Sequence, residues 1–394
     1  MRKQISRKNS PSFLFIDHVY PPALDYFNLN DDTKSNYEAT KRKISQQILN
    51  RGSLLAVNFQ KLGYRADSII LSCEPLQKKW AREHGIGITS LPVPHIARKS
   101  YFVRSIFSKF PKMYYFLKGL AEKKSFNFQI LLAQIQDFKP AVLFILDFHQ
   151  FTPDFLETAR KYVGKIAAFV NAPIYAPAEL FKSYDILFSP FPHYVEMFQK
   201  MGISSAYLPF SFEPIILEEI GKKERIEDCV FIGGLSRGMD KISFLEELSR
   251  KINVKFWGYM NPTLPSDSPI LSTYKGQAWG IDVLKILAKS KIVVNRHVQK
   301  HENFSSKYAD NVRLYESTGM GALLITDWKE NLGELFEIGK EVETYRTSEE
   351  AAEKVKYYLS HEREREKIAK AGQARTLQDH TYEQRAKKIM EILS

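Results

Sequence analysis

The stretch NVRLYESTGMGALLITD, Asn311 to Asp327, decides the fold of the second half of the chain. Apolar residues recur at helical spacing from Val312 to Met320, and two glycines then predict the end of this helix. The residues ALLIT follow as a short buried strand. A helix that leads through a glycine turn into a buried strand is typical of a parallel α/β sheet.

Glu316 lies within the first turns of this predicted helix. In an open parallel sheet such helices begin at the carboxyl ends of the strands, where ligands bind. A glutamate there can accept hydrogen bonds from the paired hydroxyls of a ribose. The alternative is a solvated acid in the first turn that is favoured by the helix dipole, and spacing alone leaves both open.

Strand and helix patterns alternate along the whole chain of 394 residues. The apolar runs of the first half are FLFID, SIILSC, AVLFILD, IAAFVN, DILFSP and SAYLPF, and one long helix is predicted over residues 38–62. Those of the second half are CVFIGGLS, VKFWGY, KIVVNRH, ALLITD and EVETY. This pattern predicts an α/β protein with two doubly wound, Rossmann-like domains that face each other across a cleft.

The pattern also predicts the domain boundaries. Residues 1–210 form the first domain, the acidic and polar segment 211–227 is a linker, residues 228–378 form the second domain, and residues 379–394 form a terminal helix. A ligand is expected in the cleft, at the carboxyl ends of both sets of strands.

Composition excludes several classes of protein. Hydrophobic residues make up 44% and charged residues 26%, which is globular, and the longest apolar run, AVLFIL, is too short to span a bilayer. The amino terminus has too few apolar residues before Asp17 for a signal peptide. Cys73 and Cys229 are the only cysteines, so no disulfide framework is predicted. We therefore expect a cytoplasmic protein.

The net positive charge is confined to the first half. Residues 1–210 hold 28 Lys and Arg against 16 Asp and Glu, whereas residues 211–394 hold 29 of each kind. Segment 98–124 has eight cations, one acid and interleaved aromatics. It predicts either a peripheral contact with an anionic membrane, a site for an acidic acceptor, or a helix pair with a solvated basic face. Nucleic acid is not expected as a partner, because no motif that reads it accompanies the charge.

Three groups of residues follow strands of the second half and are candidates for binding a ligand. Gly233 and Gly234 let backbone N–H groups approach a phosphate, with Arg237 as a counter-charge, although adjacent glycines also make ordinary tight turns. Neither a G-x-G-x-x-G nor a phosphate-loop motif is present. The other candidates are Tyr259, Gly276 and Trp279, for stacking a nucleobase, and Asn295, Arg296 and His297, which end a strand with polar groups.

Candidates for a catalytic base end strands of the first half. Asp17 and His18 follow FLFI, Asp147 and His149 follow AVLFIL, and His193 opens a later helix. A base must reach the attacking hydroxyl and titrate near neutral pH, so we favour His18 and then His149. Structural histidines are the alternative at each position.

The chain resembles the group 1 glycosyltransferases of the spore-maturation type, which have the two-domain GT-B fold. The motifs that carry the resemblance are FIGGLSR, AWGIDVLKILAKSKIVVNRH, ADNVRLYESTGMGALLITD, NLGELFEIGKEVETYR and AGQARTLQDHTYEQR, with LQKKWAREHG, FPHYVEMFQKMGI and YLPFSFEP in the first half. The resemblance implies that the second domain binds a nucleotide-diphosphate sugar and the first binds the acceptor. It implies that Glu316 accepts from the ribose, that the turn of Gly233 and Gly234 meets the diphosphate, and that Arg237 neutralises it.

One departure from that family concerns the transferred sugar. Many group 1 enzymes carry a second, sugar-side glutamate, but Tyr308 stands eight positions before Glu316. Asn311, Arg313 or the loop HENFSSKYAD is expected to replace it, and the stereochemical outcome stays open. If configuration is retained, the leaving phosphate can take the proton and no protein base is needed.

These observations predict a hexosyltransferase-type enzyme of polysaccharide biosynthesis that transfers a sugar to a glycan or lipid-linked, cell-surface acceptor. No Asp-x-Asp triplet occurs, so we expect neither a metal nor a cofactor. The alternative function is a non-catalytic protein of the same fold that binds sugar nucleotides or glycans.

Overall fold

The computed structural model describes residues 11–29, 35–87, 126–172, 174, 178–236, 241–260, 263–297, 307–308 and 310–393. The chain divides into two compact units, Met1–Tyr207 and Leu208–Ser394. The basic segment 98–124, Arg237 and most of the loop HENFSSKYAD lie outside the described residues. The side chain of His149 also lies outside them.

The first unit contains a parallel sheet of six strands in the order β2-β1-β3-β4-β5-β6. The strands are β1 (Phe13–Asp17), β2 (Ala66–Ile70), β3 (Val142–Ile145), β4 (Lys165–Phe169), β5 (Ile186–Ser189) and β6 (Ser205–Tyr207). The helices are α1 (Pro21–Tyr26), α2 (Tyr37–Gln46), α3 (Arg51–Lys61), α4 (Glu74–Glu83), α5 (Phe126–Phe138), α6 (Pro153–Arg160), α7 (Ala178–Phe181) and α8 (Pro192–Lys200). Strands β1, β3 and β5 are buried along their whole length, as their continuous apolar runs predict.

The second unit contains a parallel sheet of five strands in the order β11-β10-β9-β7-β8. The strands are β7 (Glu227–Ile232), β8 (Lys255–Trp257), β9 (Ser290–Asn295), β10 (Leu323–Asp327) and β11 (Glu343–Tyr345). The helices are α9 (Ile215–Ile220), α10 (Ile242–Lys251), α11 (Gly280–Ala288), α12 (Val312–Gly319), α13 (Leu332–Leu335), α14 (Ser348–Ser360), α15 (Glu362–Asp379) and α16 (Tyr382–Leu393). The predicted fold of two parallel-sheet, Rossmann-like domains is confirmed.

The helix and strand predicted over Asn311–Asp327 are both present, as α12 and β10. The side chain of Asn311 caps α12 by accepting a hydrogen bond from the N–H of Leu314. Gly321 adopts φ +72° just beyond the helix, a conformation that favours glycine and ends the helix.

The single helix predicted over residues 38–62 is wrong, because the chain forms two helices there, α2 and α3. Ile48 adopts φ +56°, which a β-branched residue avoids within a helix. Asn50 then starts a new helix, since its side-chain oxygen lies 2.6 Å from the N–H nitrogen of Ser53. Sequence periodicity runs through this break and therefore did not reveal it.

The segment 211–227, predicted as a linker, is a packed part of the second unit. It contains α9, and the N–H of Phe212 donates to the carbonyl of His380 at 2.9 Å. The ring of Phe212 lies so close to α12 that a Cβ on Gly319 would come within 2.6 Å of it. Within the described ranges, every helix is too short or too polar to span a bilayer.

Candidate functional site

The strand order gives each unit a topological switch point. In the first unit β2 and β3 flank β1, and in the second unit β8 and β9 flank β7. In the first unit the chain therefore leaves β1 toward β2 on one side and leaves β3 toward β4 on the other. In the second unit it leaves β7 toward β8 and β9 toward β10, again in opposite directions. In open α/β sheets ligands bind at this switch point, outside the carboxyl ends of the strands.

The glycine turn after β7 lies at the switch point of the second unit. The N–H of Gly233 donates to the carbonyl of Trp257 at 3.0 Å, and the N–H of Gly258 donates to the carbonyl of Gly276 at 3.0 Å. A Cβ on Gly258 would lie 1.8 Å from the carbonyl oxygen of Gly233. The loops after β7 and β8 are thus packed backbone against backbone, and Gly234 follows directly in the same turn.

Lys241 supplies a cation beside this turn that the sequence analysis missed. Its side chain is buried, and its ammonium nitrogen would be 3.6 Å from a Cβ on Gly233. The same nitrogen lies 5.4 Å from the ring centroid of Phe231. The signal that could have pointed to it is a lysine at the start of a helix, seven residues after Gly234. The turn and Lys241 together form a set of groups suited to an anion.

Tyr259 and Trp279 lie together at the β8 side of this edge. Their ring centroids are 6.1 Å apart, and the planes are inclined by 54°. The carbonyl of Tyr259 accepts from the N–H of Leu235 at 2.8 Å, which ties this aromatic pair to the glycine turn. Gly276 adopts φ +104° in the loop that carries Trp279. The structure therefore brings these predicted residues near one another.

A hydrogen-bond network joins α12 to the ends of β9 and β10. The Asn311 amide donates to the Asn295 side-chain oxygen at 3.4 Å, and the Asn295 amide donates to the Thr326 hydroxyl at 3.0 Å. The Thr326 hydroxyl donates to a carboxylate oxygen of Asp327 at 3.4 Å. Asn295 is buried, so this network fixes the position at which α12 begins.

Arg313 and Glu316 form an ion pair on α12, with 2.6 Å between Nη1 and Oε2. The Glu316 side chain is 24% exposed. Burial raises the pKa of Glu316, and the guanidinium of Arg313 opposes that rise. Arg313 thus holds the carboxylate in place and favours its ionised form.

The side chain of Arg296 packs on aromatic rings and is not part of the network around α12. Its guanidinium carbon lies 4.3 Å from the ring centroid of Phe244 and 6.0 Å from that of Tyr345. The Tyr345 hydroxyl donates to the carbonyl of Asn295 at 2.6 Å. Arg296 therefore lies at the predicted edge but on aromatic rings, an arrangement that stabilises a cation.

His297 is buried at the end of β9 and contacts Asp327 at the end of β10. Both its ring Nδ1 and its backbone N–H approach the same oxygen of Asp327, at 2.7 and 3.0 Å. The other oxygen of Asp327 lies 3.3 Å from the ammonium of Lys329. The sequence analysis named His297 but missed Asp327 and Lys329, because the contact depends on how β9 pairs with β10.

Asp17, predicted as catalytic, is buried and caps α3. Its carboxylate accepts from the N–H of His18 at 2.8 Å and from the N–H of Gly52 at 3.0 Å. A Cβ on Gly52 would lie 3.1 Å from the Asp17 Cβ, so the helix start is packed tightly against this strand end. These contacts give Asp17 a structural role, since both carboxylate oxygens bind backbone.

His18 and Asp147 form a pair at the switch point of the first unit. Nδ1 of His18 lies 3.4 Å from Oδ2 of Asp147, and the side chains are 24% and 22% exposed. The amide of Gln150 donates to Asp147 at 2.7 Å and holds the carboxylate in place. The sequence places both residues at strand ends but does not pair them, because their contact requires β1 and β3 to be neighbours.

The other two histidines considered for the first unit differ from His18. His149 lies in a short 3₁₀ turn, Phe148–Gln150. His193 lies in the first turn of α8, and burial lowers the pKa of its imidazole. A lowered pKa favours the neutral ring, which suits a histidine packed between Phe191 and Tyr194.

Asp310, which precedes α12, is a buried acid that the sequence analysis did not single out. Burial raises its pKa to about 7, against hydrogen bonds from Phe210, Tyr315 and Asn311 and the charge of Arg385. Its Oδ2 accepts from the N–H of Phe210 at 3.1 Å. Asp310 thus fixes the start of α12 to the chain that enters the second unit.

Because its folded-state pKa is raised, Asp310 contributes stability below the unfolded pKa, and this is lost as the pH rises through about 7. Asp310→Asn stays neutral throughout. We therefore expect the free energy of unfolding of the native chain to fall relative to Asp310→Asn between pH 5 and pH 8, by at most about 2 to 3 kcal/mol. Urea titrations at each pH measure this, with the exposed Asp267→Asn as the control. A difference that does not vary with pH would contradict the assignment.

Residues 241–391 match a family model described as glycosyl transferase-like. The matched segment includes α10, the ends of β9 and β10, and the whole of α12. No curated protein has a significantly similar sequence.

Solved structures of similar fold cover nearly the whole chain. A glycosyltransferase from Rickettsia africae has a TM-score of 0.54 at 12% identity, with 98% of each chain covered. The sucrose-phosphate synthase of Thermosynechococcus elongatus has a TM-score of 0.57 at 9% identity, over 97% of this chain and 98% of that chain. Anabaena HepE, in complex with UDP-glucose, has a TM-score of 0.56 at 12% identity, over 97% of this chain and 99% of that chain. These likenesses show the fold, which is that of GT-B glycosyltransferases.

Proposed function

We propose that the protein is a hexosyltransferase-type glycosyltransferase, related to the spore-maturation branch, that moves a sugar from a nucleotide-diphosphate donor to a glycan or lipid-linked acceptor. The observation that carries the proposal is the second unit's switch point. There a cation-flanked glycine turn and a half-buried glutamate occupy the same edge of one sheet. Lys241 and Glu316 lie within the segment that matches the glycosyl transferase-like family model.

In this proposal each part of the donor has its own contact in the second unit. The diphosphate binds the turn of Gly233 and Gly234, next to the ammonium of Lys241 and the start of α10. The ribose hydroxyls donate to Glu316, and the nucleobase binds beside Tyr259 and Trp279. The cation and the helix N-termini stabilise the charge of the departing diphosphate, and we propose that no metal is required.

The first unit is proposed to bind and activate the acceptor. His18 takes the proton of the attacking hydroxyl through Nε2, because its Nδ1 faces Asp147. The hydroxyl oxygen forms a bond to the anomeric carbon, and the electron pair of the broken bond goes to the leaving phosphate oxygen. The acceptor's identity and attachment to an anionic membrane stay predictions of the sequence, because segment 98–124 lies outside the described residues.

A donor panel tests this function directly. The protein is incubated with UDP-, GDP- and dTDP-sugars, and the release of free nucleoside diphosphate is followed. Slow release from one donor is expected, because water can replace the acceptor. Binding of a donor without any release, also with candidate acceptors, would support the non-catalytic alternative. Binding of none would overturn the proposal.

Glu316→Ala is expected to weaken binding of the donor about 10- to 100-fold, because two hydrogen bonds to a charged group are lost. Isothermal titration calorimetry measures the affinity. Glu353→Ala, an exposed glutamate on α14, is the matched control and is expected to bind as the native protein does. An unchanged affinity in Glu316→Ala would refute the ribose contact.

A further inference from the structure

Three ionisable side chains are buried together at the ends of β9 and β10. His297, Asp327 and Lys329 are exposed by only 4%, 3% and 5%. Burying charged groups is costly, and clusters of this kind at a ligand-binding edge are candidates for function. The network from Asn311 through Asn295 and Thr326 ends on this cluster and ties it to the helix that carries Glu316.

Asp327 fixes the orientation and the tautomer of the His297 ring. Burial by itself raises the pKa of Asp327, but His297 and the ammonium of Lys329 outweigh it, so that its pKa lies well below the usual range. Asp327 is therefore a carboxylate, and Nδ1 of His297 carries a proton that it donates to Asp327 at 2.7 Å. Lys329 balances the negative charge of Asp327.

With Nδ1 protonated, the neutral form of the His297 ring has an acceptor at its other nitrogen. Nε2 is buried, and among the described residues no hydrogen-bond partner reaches it. A buried polar atom without a partner costs free energy, which a ligand can recover by donating to it. In the neutral ring, Nε2 binds a group that has a hydrogen to give.

We infer that Nε2 of His297 accepts a hydrogen bond from a hydroxyl of the transferred sugar. This inference rests on the proposed function and adds a residue that distinguishes among sugars. The diphosphate has no hydrogen to donate at neutral pH, and the ribose hydroxyls are assigned to Glu316. Among the donor's remaining hydroxyls, those of the sugar have the required chemistry. Asp327 acts through His297 and is a positioning residue.

Two substitutions separate the two ring nitrogens. His297→Asn retains an amide N–H in the place of Nδ1 and removes the acceptor at Nε2. His297→Gln extends an amide oxygen toward the place of Nε2. We expect His297→Asn to weaken binding of the nucleotide sugar about 5- to 10-fold and His297→Gln to restore part of the loss. The affinity for the free nucleoside diphosphate is expected to change less than twofold in both variants.

The probes are UDP-glucose, UDP-N-acetylglucosamine, GDP-mannose and dTDP-rhamnose, each compared by calorimetry with UDP, GDP or dTDP alone. His380→Asn is the matched control, because His380 is equally buried but both its ring nitrogens contact protein groups, Leu335 and Arg385. It is expected to change both affinities in equal proportion or not at all.

If His297→Asn does not fold, ¹⁵N resonances of the native histidines carry the test. A nucleotide sugar is expected to shift the Nε2 resonance of His297, and the free nucleoside diphosphate is not. Three outcomes would overturn the inference while the proposed function stands. They are equal effects of the two ligands on the resonance, equal losses of both affinities in His297→Asn, and no loss of affinity in that variant. Failure of the native protein to bind any of the probes would overturn both.

Discussion

Gly258→Ala is expected to lower the free energy of unfolding of the second unit by about 3 to 5 kcal/mol. The added Cβ would lie 1.8 Å from the carbonyl oxygen of Gly233 and 2.7 Å from its carbon. These are backbone atoms at the end of β7, so no side chain can turn aside to make room. Gly258 also adopts φ +148°, which adds strain for any other residue.

Urea denaturation followed by circular dichroism measures this loss. Gly339→Ala is the matched control, because Gly339 adopts φ +84° but has no atom within 4 Å of an added Cβ. It reports the conformational cost alone, about 1 to 2 kcal/mol. Equal losses in the two variants would show that the loops after β7 and β8 are not in the close contact described here.

His18→Ala is expected to lower kcat for nucleotide release about 10²- to 10⁴-fold, with a smaller effect on KM. The reason is the loss of the group that takes the proton from the attacking hydroxyl or water. Asp147→Asn is expected to lower kcat less, because the ring remains but its orientation by the carboxylate at 3.4 Å is weakened.

The measurement uses the donor that the panel identifies and follows kcat against pH. His84→Ala is the control, because His84 is an exposed histidine of the same unit, stacked on Trp80 and remote from the switch point in sequence. An unchanged kcat in His18→Ala would mean that the leaving phosphate takes the proton, as in a reaction that retains configuration.

Local sequence patterns predicted most of the elements that form the site. The helix α12, the glycine that ends it and the buried strand β10 all follow from signals within one stretch of chain. The turn glycines after β7 were predicted from the sequence in the same way. These signals act over a few residues, so the sequence displays them directly.

Contacts between distant stretches of the chain could not be predicted from the sequence. The pairing of His18 with Asp147 depends on β1 lying beside β3, and that of His297 with Asp327 on β9 lying beside β10. The close approach of Gly258 to Gly233 depends likewise on β8 lying beside β7. The helix break at Ile48 was missed because apolar periodicity continues through it.

The sequence by itself determined the alternation of strands and helices, the positions of most of their ends apart from the break between α2 and α3, and the polar residues that follow each strand. Only the tertiary structure decided the order of the strands, and with it which polar residues meet. The physical reason is range: caps, turns and periodicity are set by neighbours along the chain, whereas strand order is set by the burial of whole helices and strands against one another.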